Sequence, residues 1–188
     1  PLLLLTALLI KIEDRGPVFF RQKRCTKNGK VFEILKFRSM IVDAEKGGET
    51  IPCRTGDPRI THVGRVIRKL RIDEFPQIIN VLKGDMSIVG PRPERVEHVE
   101  AYTKEIPEFS YRLRVKGGLT GYAQIYGKYN TSPYDKLRLD LQYIEKQSLL
   151  MDLKLILLTV KIMFVPESTE GFTQKRSEQI TEEAKSKR

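Results

Sequence analysis

The chain opens on a proline followed by Leu2-Leu3-Leu4-Leu5-Thr6-Ala7-Leu8-Leu9-Ile10. A ten-residue helix reaches only about 15 Å, half of the ~30 Å hydrocarbon core of a bilayer. This run therefore cannot cross a membrane, and it is too apolar to lie free in water. One solution is a first helix buried under the rest of the chain. The other is the end of a longer hydrophobic segment, with Lys11 marking the return to the water interface. A signal peptide would carry basic residues before the run and a small-residue cleavage site after it, and neither flanks it. A second apolar stretch, Leu149 to Val165, is interrupted by Asp152, Lys154 and Lys161, which suits an interfacial or core amphipathic helix better than a span.

Charge narrows the choice. The 188 residues fit one domain with tails, and the net charge is +10. Residues 1–72 hold 16 basic and 7 acidic residues, whereas 73–188 hold 18 and 17. The excess sits beside the apolar run and predicts an anionic partner there: a lipid headgroup, a phosphate ligand or a nucleic acid. Tryptophan is absent, and no helix-turn-helix, zinc-finger or RNA-recognition signature appears. Basic charge next to an apolar segment favours an anionic membrane face. Cys25 and Cys53 make no disulfide framework, and His62 and His98 are too few to complete a zinc site with them. This cysteine usage suits a reducing cytoplasmic setting. Neither a Walker A nor a G-x-G-x-x-G motif is present, and two histidines with no G-x-S-x-G argue against a Ser-His-Asp hydrolase.

Along the chain, Gly16–Phe20 and Val31–Phe37 are β-rich runs on either side of Asn28-Gly29, a hairpin signal. Residues 41–56 read as a polar loop after a short helical stretch. Asp57-Pro58 predicts a helix start, with Asp57 as N-cap and Ile60, Val63, Ile67 and Leu70 on one face. A second helix is expected over 75–82, stopped by Gly84, with Asp73 and Glu74 at its N-terminus. Asp85–Val89 is a short apolar run ending in the rigid turn Gly90-Pro91-Arg92-Pro93. Residues 94–111 read as helix broken at Pro107, 117–125 as a Gly-rich loop passing into a strand, 134–147 as helix, and 173–188 as a polar tail. The fold class is α+β, mostly helical with a small β-hairpin.

Asp73-Glu74 is the leading candidate for chemistry. Adjacent carboxylates can divide labour, one attacking phosphorus while the other holds a divalent metal. Helix capping is the plain alternative. Arg68 and Arg71 precede the pair closely, and a helix start would keep the carboxylates ionised. Arg92, between two prolines, is a preset fork of donors suited to a phosphate or diphosphate, or else an incidental residue in a surface turn. Lys36 and Arg38, in Lys36-Phe37-Arg38-Ser39-Met40, form another short basic set.

Five ordered motifs resemble one family. They are Gly16-Pro17-Val18-Phe19-Phe20-Arg21-Gln22, Lys36-Phe37-Arg38-Ser39-Met40, Asp73-Glu74-Phe75-Pro76-Gln77, Lys83 to Pro93, and Gly118-Leu119-Thr120-Gly121-Tyr122-Ala123-Gln124. Together they resemble the bacterial sugar transferases, the monotopic polyprenyl-phosphate phosphoglycosyl transferases, over about residues 1–172. The resemblance implies transfer of a sugar phosphate from a UDP-sugar to a polyprenol phosphate, usually undecaprenyl phosphate, with release of UMP. That is the first membrane step of capsule, exopolysaccharide, O-antigen or glycoprotein glycan assembly, at the cytoplasmic face of the bacterial inner membrane.

It further implies that Asp73 is the nucleophile, through a covalent phosphosugar intermediate, and that Glu74 helps bind Mg²⁺. Arg68 and Arg92 fall on family positions expected to contact phosphates, and Lys36, Arg38 and Gln124 are further candidates for phosphate or substrate binding. The family's N-terminal helix turns back within the membrane at a Ser-Pro break. Pro1 would be that proline, leaving residues 1–10 as the second half of the membrane-inserted helix, 11–172 as the catalytic domain and 173–188 as tail. Pro166 to Phe172 resembles longer members with additional N-terminal helices. Tyr122 stands where many members have Trp, and Lys128 where Arg is common. A homo-oligomer is left open. The competing readings are a non-catalytic basic peripheral membrane module and a nucleic-acid binder.

Overall fold

The computed structural model describes residues 1–44, 53, 56–127 and 131–163. Most of the loop expected over 41–56, the tail, the Pro166–Phe172 segment and Lys128 lie outside the described residues. Contacts divide the chain into two compact units.

The first unit holds Pro1–Val18 and Arg38–Asp73. Helix α1, Leu2–Asp14, ends with Arg15 in the left-handed conformation at φ 57°. It buries Thr6 and Ile10 and exposes Leu2, Leu3, Leu4, Leu5, Leu8, Leu9 and Ile12. Lys11, expected to end the hydrophobic stretch, lies inside the helix.

Helix α2, His62–Lys69, begins four residues after the expected start, with Thr61 rather than Asp57 as its N-cap. The Asp57 carboxylate is spent on its own turn, where Oδ1 accepts from the Arg59 backbone N–H at 3.0 Å and Oδ2 pairs with Arg59 Nη2 at 2.6 Å. Ile60 is drawn into a bridge with Met40. The real cap is Thr61, whose Oγ1 accepts from Gly64 N–H at 2.9 Å. Glu13 of α1 adds a second cap, its two carboxylate oxygens accepting from His62 and Val63 N–H at 2.6 and 3.1 Å. A carboxylate there also meets the positive end of the helix dipole. Thr61→Ala is expected to cost about 1 kcal/mol, measurable by urea unfolding, whereas Asp57→Ala should not act through the helix start. After Leu70, Arg71 takes a left-handed φ of 57°, its N–H bonding the Arg68 carbonyl at 3.1 Å, and closes α2. A 3-10 turn, Ile72–Glu74, follows.

The second unit holds Phe19–Phe37 and Glu74–Val165. Strands β1, Phe19–Cys25, and β2, Val31–Phe37, pair antiparallel from Phe19 opposite Phe37 to Cys25 opposite Val31. The turn between them puts Asn28 and Gly29 at φ 58° and 73°, the positive values expected of an Asn-Gly hairpin. Helix α3, Gln77–Leu82, lies against β2. The Asn80 side chain fixes it there, donating to the Glu33 carbonyl at 2.8 Å and accepting from Leu35 N–H at 3.0 Å. One amide thus serves as a strand partner for β2. Phe32, Ile34 and Met86 close a small core beneath.

Strand β3, Ser87–Val89, pairs in parallel with β4, Gly118–Thr120. The strand expected later in 117–125 is helix α5, Tyr122–Tyr126. Gly121 precedes α5, and Gln124 and Ile125 N–H return to its carbonyl. Helix α4, Val96–Glu105, gives way at Pro107 to a 3-10 segment, Pro107–Arg114. Helices α6, Pro133–Lys146, and α7, Leu149–Met163, complete the unit. One of the three charges that interrupt the apolar α7 is accounted for, since the Tyr143 hydroxyl donates to Asp152 Oδ1 at 2.8 Å. Leu149, Leu150, Leu153, Leu157 and Val160 are exposed on α7 while Leu155 is fully buried. No helix among the described residues is long and apolar enough to cross a membrane.

Candidate active site

Three charged side chains converge in the second unit. Lys36 shares the inward face of β2 with Phe32 and Ile34 by the two-residue period of a strand. Glu74 sits just ahead of α3, whose seat on β2 is set by Asn80. Arg92 projects from the turn after β3. Lys36 Nζ donates to Glu74 Oε1 at 2.7 Å, and Arg92 Nη2 donates to the same oxygen at 2.9 Å. The Lys36 and Glu74 side chains are 17% and 16% exposed, and that of Arg92 is 41% exposed. The cluster opens to solvent on the Arg92 side.

Burial opposes ionisation of Glu74, yet Lys36 and Arg92 outweigh it and hold the carboxyl well below the usual value. A helix start is the expected source of this ionisation. The structure instead puts Asp73 and Glu74 in the 3-10 turn ahead of α3, and for Glu74 the cause is the cation pair. A carboxylate with a lowered native pKa stabilises the fold above its unfolded value, about 4.3, and this stability is lost as pH falls through the native value. Wild type is therefore expected to lose stability more steeply than Glu74→Gln below about pH 4, by up to one proton's slope or ~1.4 kcal/mol per pH unit. Acid titration of the urea midpoint measures it, and parallel curves would remove the cation pair as the cause.

The other sequence candidates are Asp73, Arg68, Arg38 and Gln124. Asp73 and a half-buried Arg68 belong to the first unit. Arg38, expected at a phosphate, is 6% exposed and has a structural post. Its guanidinium bonds both Asp14 carboxylate oxygens, the Pro17 carbonyl and the Met40 carbonyl. Gln124 sits on α5 with Nε2 on the Leu119 carbonyl at 2.9 Å, and no hydrogen bond joins it to the Lys36–Glu74–Arg92 cluster. Its Oε1 is buried without a partner among the described residues.

One charged group escaped the sequence reading. Arg112 and Asp140, 2% and 1% exposed, pair through Nη2 and Oδ2 at 2.7 Å. The signal was there. Leu137, Asp140 and Tyr143 share one helix face at i, i+3, i+6, so an acidic residue occupies a core stripe of α6.

Oxygen donors of the carboxylate type suit Mg²⁺, which is commonly held by one or two carboxylates with substrate phosphates supplying the rest. Glu74 fits that mode. Among the described residues no group of three or more His, Cys, Asp and Glu could hold a metal unaided.

The sequence model of the bacterial sugar transferases matches residues 1–166. A UDP-N-acetylgalactosamine-undecaprenyl-phosphate N-acetylgalactosaminephosphotransferase of Aeromonas hydrophila is 46% identical over 164 residues, covering 86% of this chain and 38% of the relative. A UDP-glucose:undecaprenyl-phosphate glucose-1-phosphate transferase of Caulobacter vibrioides is 44% identical over 173 residues, covering 89% and 64%. The uncharacterized sugar transferase EpsL of Bacillus subtilis is 39% identical over 180 residues, covering 96% of this chain and 86% of the relative. The chain thus spans 38% and 64% of the first two of these relatives.

Proposed function

The chain belongs to the bacterial sugar transferase family, and on that premise we propose that it transfers a sugar phosphate from a UDP-sugar to undecaprenyl phosphate or a similar polyprenol phosphate, releasing UMP. The observation that carries the proposal is the pair of cations, Lys36 and Arg92, closed on a single Glu74 oxygen. Attack on a diphosphate needs neutralisation of oxygen charge more than it needs acid-base groups. A diphosphate entering beside Arg92 competes with Glu74 for both cations, binding in the geometry that the carboxylate had kept ready.

Asp73, the residue before Glu74, is assigned as the nucleophile. Its carboxylate oxygen attacks the sugar-bearing β-phosphorus, and the bond from that phosphorus to the bridging oxygen breaks. UMP leaves with the bridging oxygen and its electron pair. A phosphate oxygen of the polyprenol phosphate then attacks the same phosphorus, the aspartate carboxylate leaves, and a polyprenyl-diphosphate sugar is formed. No base is required, because each attacking oxygen is already anionic. Bound through Glu74, Mg²⁺ would lower the charge on the diphosphate. Arg68 keeps the phosphate-contact role that the family resemblance implies.

Membrane association is part of the proposal. The exposed leucines of α1 and, separately, of α7 supply apolar surface for the inner leaflet, and the basic N-terminal third suits anionic headgroups at the cytoplasmic face. This supports a helix that enters without crossing.

The test is UMP release from a panel of UDP-sugars, including UDP-glucose and UDP-N-acetylgalactosamine, with Mg²⁺ and with or without undecaprenyl phosphate. Release near one equivalent without acceptor, plus a phosphosugar mass on the protein, is expected. Turnover only with both substrates and no adduct would replace the covalent step by direct transfer. No release in membranes with any donor would overturn the reading.

A further inference from the structure

The turn that carries Arg92 is gripped along its whole length. Pro91 and Pro93 have no N–H, so this backbone meets its neighbours largely as an acceptor. Four consecutive carbonyls each take a donor. Pro91 accepts from Gly118 N–H of β4 at 2.9 Å, and Glu94 from Cys25 N–H of β1 at 3.0 Å. The two between them are held by arginine side chains: Pro93 by Arg24 Nη1 at 3.2 Å, Arg92 by Arg112 Nη2 at 2.9 Å.

Arg112 is itself fixed from several sides. Nε and Nη2 bond Asp140 Oδ2 at 2.9 and 2.7 Å. Nη1 lies 3.9 Å from Glu94 Oε1, which also receives Lys136 Nζ at 2.7 Å. Its guanidinium carbon stands 4.9 Å from the centre of the Phe109 ring. Stability is a weak reason to keep such a group, since a buried ion pair replaced by well-packed apolar side chains is often no worse. What apolar side chains cannot do is donate to the Arg92 carbonyl.

We propose that Arg112, oriented by Asp140, is a positioning residue for Arg92: its grip on the Arg92 carbonyl fixes where the Arg92 guanidinium points, onto Glu74 and the diphosphate that competes for it. The proposal rests on the substrate-binding role given above to the Lys36–Glu74–Arg92 cluster. Neither Arg112 nor Asp140 touches the substrate. A lysine at 112 is a single point charge and cannot bond Asp140 twice while also reaching the carbonyl.

A double-mutant cycle tests it. In full-length protein in its membranes, Arg112→Lys is expected to lower kcat/KM for UMP release about 10-fold, within the range of coupling between interacting residues. In an Arg92→Ala background the same change should cost less than about twofold, while its effect on thermal stability stays equal in both backgrounds. Equal losses of kcat/KM in both backgrounds would reveal a general structural role and overturn the proposal, as would wild-type kinetics for Arg112→Lys. Should that variant fail to fold, Asp140→Asn enters the same cycle. A readout free of turnover runs alongside, namely the coupling between Arg92→Gln and Glu74→Gln in urea unfolding. It should shrink at least twofold on an Asp140→Asn background, and an unchanged coupling would overturn the proposal. Wild type that releases no UMP from any donor would count against the transferase reading alone, because the urea cycle still decides the positioning role.

Discussion

Asp73→Asn is expected to reduce UMP release by at least about a thousandfold, the scale of losing a nucleophile from a working set, and to leave no phosphosugar mass on the protein. The substitution keeps side-chain shape and removes the anionic oxygen on which both steps of the proposed transfer depend. Both half-reactions should therefore fail together, including the reverse reaction of a polyprenyl-diphosphate sugar with UMP. Circular dichroism and the urea midpoint should stay close to wild type. Glu74→Gln should behave differently, because it leaves the nucleophile in place and disturbs the cations. An adduct should still form, more slowly and with a weakened response to Mg²⁺. An Asp73→Asn protein with full turnover would end the covalent assignment, and one that lost only the second step would move the nucleophile elsewhere.

The contrast between Asp73 and Glu74 shows how far the sequence could be read. Adjacent carboxylates among arginines drew attention by residue type alone, and Lys36 and Arg92 were picked out as cations for an anionic ligand. That these two would meet on one Glu74 oxygen was not legible, because their sequence positions are 36, 74 and 92 and only the strand, the Asn80 clip and the Pro-Arg-Pro turn bring them together. Local chemistry was read well where one dipeptide decides the backbone, as at Asn28-Gly29. It was read poorly where two local options compete. Asp57-Pro58 has the composition of a helix start, but the Asp57 carboxylate is captured by Arg59 two residues on, and Thr61 takes the cap. Arg38 and Arg112 are hard to read from sequence for one reason: a guanidinium is expected in water, and each is buried by a carboxylate distant in sequence.

Gly118→Ala should have a large effect on the fold, and it reaches the site by a route no charge substitution uses. A Cβ at Gly118 would stand 2.1 Å from the Gly90 nitrogen and 2.4 Å from the Thr120 carbonyl oxygen. Both are backbone atoms, so no side-chain rotation relieves the clash. Gly90 N–H bonds the Thr120 carbonyl at 2.9 Å, and Gly118 N–H bonds that of Pro91, also at 2.9 Å. Making room for one methyl must stretch these bonds and part β3 from β4. A loss of roughly 2–4 kcal/mol follows from strain of this kind, a large share of the 5–15 kcal/mol typical of a domain. The melting temperature should fall by on the order of 10 °C. Gly121→Ala should act alike, its Cβ falling 2.1 Å from the Gly90 carbonyl oxygen. Gly29→Ala is the control: nothing lies within 4 Å of its Cβ, and only the positive φ of 73° resists it, a cost nearer 1 kcal/mol. Because Gly90 and Pro91 lead directly into Arg92, Gly118→Ala protein that still folds at low temperature should also show weakened Arg92-dependent turnover. Wild-type melting for Gly118→Ala would mean that β3 and β4 do not approach this closely, and the clamp on the Arg92 turn would then lose its first anchor.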